Sequence, residues 1–266
     1  YWRIEAFGID VRWAMVAAGL AVANVLAAAR ARNHSGAPRF TICVGAYAAA
    51  AVAAISLGAT MLLREAWLTV ALSLQLPALA WIGGRLGLTV LRPVAMVVAC
   101  AILVRLIVNP DVLDYQLAST PLLNWMLYGY GIPVLAFFGA SISFRRAADD
   151  ALVAVLEAGA LVFATILVTL EIHDVLIGPI TQPREGLLEP SLQSIAWLTM
   201  AIGIALNPPW TTRPIFVWAR NILAGAAVAQ IVLFQVLDNN PLWSGDPVGT
   251  LPIVNDLLFA YGIPAG

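Results

Sequence analysis

Long apolar segments follow one another along almost the whole of this chain. A helix needs about 20 mostly apolar residues to cross the hydrocarbon core of a bilayer. The segments that approach or exceed this length are 12–29, 41–62, 66–83, 93–108, 121–143, 151–170, 191–206 and 215–237, and a ninth begins near Leu251. Their apolar runs are continuous rather than alternating, which favours helices over the strands of a membrane barrel. The sequence therefore predicts an all-α, polytopic transmembrane bundle of eight to nine spanning helices.

The composition indicates that lipid surrounds these helices. Hydrophobic residues make up 61% of the 266 residues and charged residues 11%, against about 25% charged residues in soluble domains. The net charge of −1 offers no basic surface, so we expect membrane lipid as a partner and no nucleic acid. Cys43 and Cys100 lie in apolar runs without a CxxC or Cys/His pattern, and nucleotide- and haem-binding motifs are absent from the sequence. We therefore predict no metal and no cofactor.

The arginines predict the orientation of the segments. The connections after the first, third, fifth and seventh segments contain Arg30, Arg32, Arg39, Arg85, Arg92, Arg145, Arg146 and Arg213. The connections on the other side contain Arg64 and Arg184 and are otherwise acidic. Because cytoplasmic loops carry the excess of basic residues, the arginine-rich side is predicted to face the cytoplasm and residue 1 the exterior.

One unusual phrase occurs twice. Residues 121–133 read PLLNWMLYGYGIP and residues 252–264 read PIVNDLLFAYGIP, an offset of 131 that also relates Asn109-Pro110 to Asn240-Pro241. The recurring residues are Asn124, Tyr130, Gly131 and Pro133 in the first copy and Asn255, Tyr261, Gly262 and Pro264 in the second. Looser matches upstream pair Arg92-Pro93 with Arg213-Pro214, and Ser73-Leu74-Gln75 with Ser191-Leu192-Gln193.

These matches predict two parallel four-helix repeats. The first unit spans 1–143 and includes a leading helix; the second spans 144–266 and is truncated at its last helix. The proline of each Tyr-Gly-Ile-Pro frees a helix carbonyl at membrane depth, where that carbonyl needs a partner. Either a kinked packing helix or a ligand path satisfies this requirement.

The repeated pattern NP…P-L-L-N-x-x-L-x-x-Y-G-I-P resembles a bacterial family of predicted multi-pass membrane proteins, catalogued as domain of unknown function 2339. The stretches WLTVALSLQ (67–75), TLEIHDVLIG (169–178) and NNPLWSGDPVGTLPIVNDLL (239–258) carry the same resemblance, which covers the chain from about residue 40 onward. It implies a bacterial inner-membrane location. Members look longer and built from many such units, so we expect this chain to be a piece of a longer polypeptide, with further repeats or other membrane subunits as partners. The resemblance implies no activity.

Polar residues near the predicted outer face are the candidate site. Ionisable groups at membrane depth are costly, so each suggests a function. The candidates are Glu171, His173, Glu65, Arg105, Asn109 and Asn240. Arg105 either snorkels outward or pairs with an acid such as Glu65. If the helices bundle, an outer vestibule is predicted to be shared by Glu171, His173, Asn109 and Asn240. A carboxylate with an imidazole suits acid–base chemistry or cation binding, but residues two apart on a helix point to different sides.

Two classes of function stay open from the residues alone. The first is transport or scaffolding by repeated helix bundles with proline-broken helices. The second is a membrane-embedded enzyme that acts on envelope lipid or glycan at the outer face through Glu171 or His173. An enzyme requires a pocket at those side chains, whereas a transporter requires a path that reaches Asn124 and Tyr130.

Overall fold

The computed structural model describes residues 11–33, 38–63, 65–108, 125–177, 186–245, 248–249, 251 and 254–265. Within these ranges the chain forms helices and no strands, which confirms the all-α fold class. The α-helices are α1 (Val11–Asn33), α2 (Pro38–Leu62), α3 (Glu65–Leu86), α4 (Leu91–Val108), α5 (Trp125–Arg145), α6 (Ala151–Leu176), α7 (Leu188–Ala205), α8 (Pro208–Thr211), α9 (Pro214–Gln230), α10 (Pro241–Ser244) and α11 (Ile263–Ala265). Two π-helices are also present, π1 (Ile231–Asp238), which continues α9, and π2 (Leu258–Gly262).

Seven of the described helices are long and apolar enough to cross a membrane. They are α1 to α6 and the stretch Pro214–Ser244, which contains α9, π1 and α10. The predicted seventh segment does form a helix, α7, but its first turns carry Glu189, Ser191, Gln193 and Ser194 and it is not among the seven. Several candidate spans are therefore established, and the predicted count of eight to nine remains a proposal.

Proline sets the starts of three helices. Asn207, Arg213 and Asn240 each precede a proline and have extended backbones, with ψ angles of 101°, 123° and 121°. Steric contact with the proline ring disfavours the helical conformation at the preceding residue, whereas proline itself fits the first helical position. The Arg-Pro and Asn-Pro pairs therefore end one element and begin the next.

Contacts divide the chain into two compact units, which we describe separately. The first comprises Tyr1–Val112 and Tyr128–Ala160, and the second comprises Leu113–Leu127 and Leu161–Gly266. The units 1–143 and 144–266 were predicted from the sequence repeat and not from contacts. The division by contacts does not test them, and they stay a prediction.

Small residues allow close packing of the first unit. Helix α1 packs along α2, and α3 packs on α4. The buried side of α1 consists of Ala14, Ala17 and Ala21, and a Cβ added at Gly58 of α2 would lie 3.5 Å from the Cβ of Ala17. Alanine and glycine bring helix backbones together, and dispersion contacts drive association in lipid.

Arg92 fixes the turn between α5 and α6 in the first unit. Its guanidinium donates to the carbonyl oxygens of Phe144 (3.1 Å) and Ala148 (3.0 Å) and to Oδ2 of Asp150 (3.0 Å). Asp150 also accepts from the backbone N–H groups at the start of α6. The hydrogen bond from Arg92 holds the pKa of the Asp150 carboxyl below its usual range. One arginine therefore satisfies the end of one helix and orients the cap of the next.

In the second unit, α7 packs on α9 and on both π-helices. One end of the α7–α9 pair is apolar, and we call it the apolar seam: Ala201 and Ile204 of α7, and Phe216 and Leu223 of α9. All four side chains are buried, and Trp210 stacks on Phe216 with ring centroids 5.2 Å apart. The opposite end of the same pair has a different chemistry.

Candidate functional site

Polar side chains fill the second unit beyond the apolar seam, where α7 begins and α9 passes into π1. We call this set the polar cluster: His173 of α6, Glu189, Gln193 and Ser194 of α7, Gln230 of α9 and Gln235 of π1. Every member is buried, with Glu189 1% exposed and Gln235 0% exposed. The same helix pair is therefore apolar at one end and polar at the other.

A carboxylate and an imidazole meet at one side of the polar cluster. Nδ1 of His173 lies 2.9 Å from Oε1 of Glu189, and Nε2 of Gln193 donates to the same oxygen at 2.7 Å. Glu189 and Gln193 lie four residues apart on α7, the spacing that places two side chains on one helix face. Helix α7 therefore supplies both the acid and the amide that holds it, and α6 supplies the imidazole.

Amide groups continue the hydrogen bonding from Glu189 to π1. Gln230 donates through Nε2 to Oε1 of Gln193 and to the carbonyl oxygen of Pro190, both at 3.1 Å. Ser194 donates to the same carbonyl at 2.9 Å, and Gln235 donates to Oγ of Ser194 at 3.0 Å. The polar cluster is therefore one hydrogen-bonded chain that crosses from α6 through α7 to π1. Oε1 of Gln235 is buried and has no hydrogen-bond partner among the described residues.

The π-helix explains how two glutamines five residues apart take part in one site. On an α-helix of 3.6 residues per turn, Gln230 and Gln235 would point about 140° apart. A π-helix instead bonds each residue to the fifth along the chain, which brings such a pair towards the same face. In the chain α9 ends at Gln230 and π1 begins at Ile231, so the change of helix type falls between the two glutamines.

The second copy of the repeated motif contacts the polar cluster. The hydroxyl of Tyr261, in π2, donates to the carbonyl oxygen of Gln235 at 2.6 Å. A carbonyl in the last turn of a helix has no partner within that helix. The tyrosine of the Tyr-Gly-Ile-Pro phrase therefore satisfies π1 at the residue that bears the last amide of the polar cluster.

Glu171 and His173 face different surroundings. Glu171 lies on a groove of about 550 Å³ whose other walls are aliphatic, including Leu127, Val168 and Leu192. His173, two residues further on, contacts Glu189 instead. As expected for residues two apart on a helix, the side chains of Glu171 and His173 point to different sides and do not converge on one pocket. The imidazole's carboxylate partner is Glu189, which was not among the candidate site residues from the sequence.

The other polar candidates lie elsewhere. Arg105 is half-buried in the first unit, where its Nε is 3.4 Å from Oγ1 of Thr69. Asn240 caps α10 by accepting from the backbone N–H of Leu242 at 3.1 Å. Asn109 and the side chain of Glu65 lie outside the described residues, and the shared outer vestibule stays a prediction.

The repeated motif is helical in both copies, with a difference in helix type. Tyr130, Gly131 and Pro133 lie inside α5, and Tyr130 is buried. In the second copy Tyr261 and Gly262 belong to π2, and Pro264 belongs to α11. Asn255 lies three residues before π2 begins, and its side chain accepts from the backbone N–H of Leu258, the first residue of π2, at 3.2 Å. Asn124 lies outside the described residues.

The chemistry of the polar cluster is that of hydrogen bonding and proton exchange. Carboxylate, imidazole, hydroxyl and amide groups bind polar solutes, and the first two also take up and release protons. Among the described residues, no group of three or more His, Cys, Asp and Glu side chains could hold a metal ion. The groups present in the polar cluster are able to bind a polar ligand or a proton.

Comparison with known proteins places the chain in a family. It belongs to the family described as "Predicted membrane protein (DUF2339)", whose model matches residues 1–266. This confirms the resemblance seen in the sequence and extends it to the first 40 residues. Neither a curated protein nor a solved structure matched the chain. With seven candidate spans among its described residues, the chain is a multi-span membrane protein.

Proposed function

We propose that this member of the family is a transport protein of the bacterial inner membrane, and that the polar cluster is the place where a small polar solute or ion passes. The observation that carries the proposal is the continuous, buried hydrogen-bonded chain from His173 to Gln235. Buried polar and ionisable groups are costly in lipid, and they typically line the pathways of substrates and ions.

The apolar seam supplies an internal comparison. A scaffold helix pair needs only packing, and α7 and α9 pack without polar groups at Ala201, Ile204 and Phe216. Replacing buried polar groups by apolar ones of similar size is often neutral or stabilising. Hydrogen bonds between membrane helices contribute only about 0.6 kcal/mol each on average, so six buried polar side chains are more than the association of α7 and α9 needs.

The predicted orientation assigns a role to each end. The connection between α7 and α9 contains Arg213, is predicted to face the cytoplasm and lies at the seam, so the polar cluster is in the outer half of the bilayer in this proposal. From Pro214 to Gln230 an α-helix rises about 24 Å at 1.5 Å per residue, most of the hydrocarbon thickness. The apolar seam is then the inner barrier, and transport requires it to open. Helix α7, at 18 residues, counts as a crossing in this proposal.

Packing within each unit supports the proposed repeat. Helices α3 and α4 pack together in the first unit, as α7 and α9 do in the second. Ser73 and Ser191, paired by sequence, are both fully buried. Between its Arg-Pro and Asn-Pro pairs, the second unit is about ten residues longer than the first. This added length lies in α9 and π1, which carry Gln230 and Gln235.

Cysteine labelling tests the proposal without knowledge of the solute. Ser194→Cys is made in a chain whose exposed native cysteines, Cys43 and Cys100, are replaced by serine. A membrane-impermeant thiol reagent is then applied to right-side-out and to inside-out vesicles. Transport by alternating access predicts that the new cysteine reacts slowly from both sides. Ile102→Cys, at a fully buried position of α4, is the negative control.

The same measurement separates the alternatives. Reaction from the outer side alone would favour the second candidate, a membrane-embedded enzyme at the outer face, which the contact between His173 and Glu189 supports. Reaction from neither side would leave a scaffold and overturn the transport proposal. Leu242→Cys on α10, where Leu242 is 88% exposed, and Thr212→Cys in the exposed turn after α8 report that each side is reachable.

A further inference from the structure

We infer that His173 and Glu189 form one proton-binding site, in which a proton taken up from the outer side neutralises the pair. Its use to couple proton movement to solute movement rests on the proposed transport function. The binding of the proton itself depends only on the geometry of the polar cluster.

The contact between the two side chains requires a proton. Gln193 donates to Oε1 of Glu189 through Nε2, which has no lone pair to offer, so this oxygen acts as an acceptor. Nδ1 of His173 is 2.9 Å from the same oxygen. Two lone pairs facing each other at that distance would repel, so one proton lies between the nitrogen and the oxygen.

A second proton changes the charge of the pair. With one proton in the contact and nothing else, a neutral imidazole faces a carboxylate and the pair is negative. A further proton on Nε2 of His173, or on the carboxyl group, makes the pair neutral overall. Because a net charge on buried groups in a membrane protein is unfavourable, the added proton changes the stability of the buried pair. Neither step requires an oxidant, a reductant or a metal.

Other titratable or charged groups lie on the elements that carry the pair or pack near it. On α6 the acids near His173 are Glu171 and Asp174, and the connection that follows contains Arg184 and Glu185, outside the described residues. The groups from α9 and π1 are the neutral amides of Gln230 and Gln235, with Asp238 exposed at the end of π1. The C-terminal segment contributes Tyr261 and Asp256. The imidazole and the carboxyl interact directly, so their transitions belong to the pair.

Infrared and NMR spectroscopy of the whole chain in lipid nanodiscs test the inference. On acidification, the wild type is expected to gain a protonated-carboxyl signal or an imidazolium signal in one pH interval. Both the ¹³C-glutamate infrared signal and the ¹⁵N-histidine signal of His173 should change over that interval. This measurement needs no substitution, so it does not depend on the folding of a variant. Transitions at clearly separate pH values, or no change at either residue, would overturn the inference.

Matched variants locate the proton. Glu189→Gln keeps the shape and hydrogen bonding of the neutral carboxyl, and it should abolish the change at His173 in that pH interval. Glu171→Gln removes an acid two residues from His173 on the same helix, and it should preserve the change. Loss of the spectral change at His173 in both variants, or in neither, would contradict the assignment of the proton site to Glu189. If Ser194→Cys reacts from both sides while the spectra show no proton uptake, the transport proposal stands and this inference fails. If the spectra show proton uptake by the pair while Ser194→Cys does not react from both sides, the inference stands and the transport proposal fails.

Discussion

Replacing Gln193 by leucine removes the amide that links the two halves of the polar cluster. The side chain donates to Glu189 at 2.7 Å and accepts from Gln230 at 3.1 Å. Leucine has nearly the same size, so the packing of α7 is preserved and the change is confined to hydrogen bonding. Gln230 keeps its second acceptor, the carbonyl of Pro190.

The expected cost follows from these two bonds. A hydrogen bond to a charged group contributes about 1.5–3 kcal/mol, and a side-chain bond between membrane helices about 0.6 kcal/mol, with a maximum near 1.7. Gln193→Leu should therefore lower the free energy of unfolding by about 2–4 kcal/mol while Glu189 is ionised. The loss should shrink when the pair of His173 and Glu189 takes up its proton.

The first unit offers a matched control. Gln75, which the sequence repeat pairs with Gln193, accepts one hydrogen bond from Ser56 at 2.9 Å and has no part in the polar cluster. Gln75→Leu should cost about 0.6 kcal/mol, the value for one neutral bond. Equilibrium unfolding in mixed micelles, followed by far-UV circular dichroism at neutral pH, measures both variants. Equal losses in the two variants would show that Gln193 has no special role at the carboxylate.

Three further substitutions test the first unit. Gly159→Ala would place a Cβ against the ring of Phe137 and should destabilise the chain by about 1–3 kcal/mol, whereas Gly139→Ala, with open space around it, should be neutral or stabilising by up to about 1 kcal/mol; the same unfolding assay compares them. Asp150→Asn should destabilise the chain at neutral pH, because the pKa of Asp150 is lowered by the hydrogen bond from Arg92. A carboxyl with a lowered pKa contributes stability above its unfolded pKa of about 3.9 and loses it as the pH falls through the folded value, so wild type and variant should converge on acidification; a constant difference would contradict this.

The long helices were predictable because the length and continuity of apolar runs decide membrane spans. The predicted segment 93–108 and α4, Leu91–Val108, nearly coincide, and the prolines at 208, 214 and 241 begin helices. The length of an apolar run indicates where a membrane span lies. It carries little information about which face of that helix packs on which other helix. The pairing of α7 with α9 therefore came from the structure.

The candidate site was predicted only in part. His173 was identified because an ionisable residue in an apolar run is unusual, but its carboxylate partner is sixteen residues away on another helix. The sequence did not indicate Gln230 and Gln235 as site residues, because an α-helical period places them on different faces. The change to the π-helix π1 leaves no periodic pattern in the sequence that would reveal it. The one signal available in the sequence was the pair Glu189 and Gln193, four residues apart on a helix with no other charged residue.

The rate at which Ser194→Cys reacts from the side of Thr212, the predicted cytoplasmic side, decides whether the polar cluster belongs to a transport path. To reach Ser194 from there, the reagent must pass the apolar seam between α7 and α9. We expect a measurable rate that rises when Leu223→Ala loosens the seam, while Ile102→Cys stays unreactive. A chain in which Thr212→Cys reacts readily from that side, and Ser194→Cys does not react with or without Leu223→Ala, would contradict transport through the polar cluster.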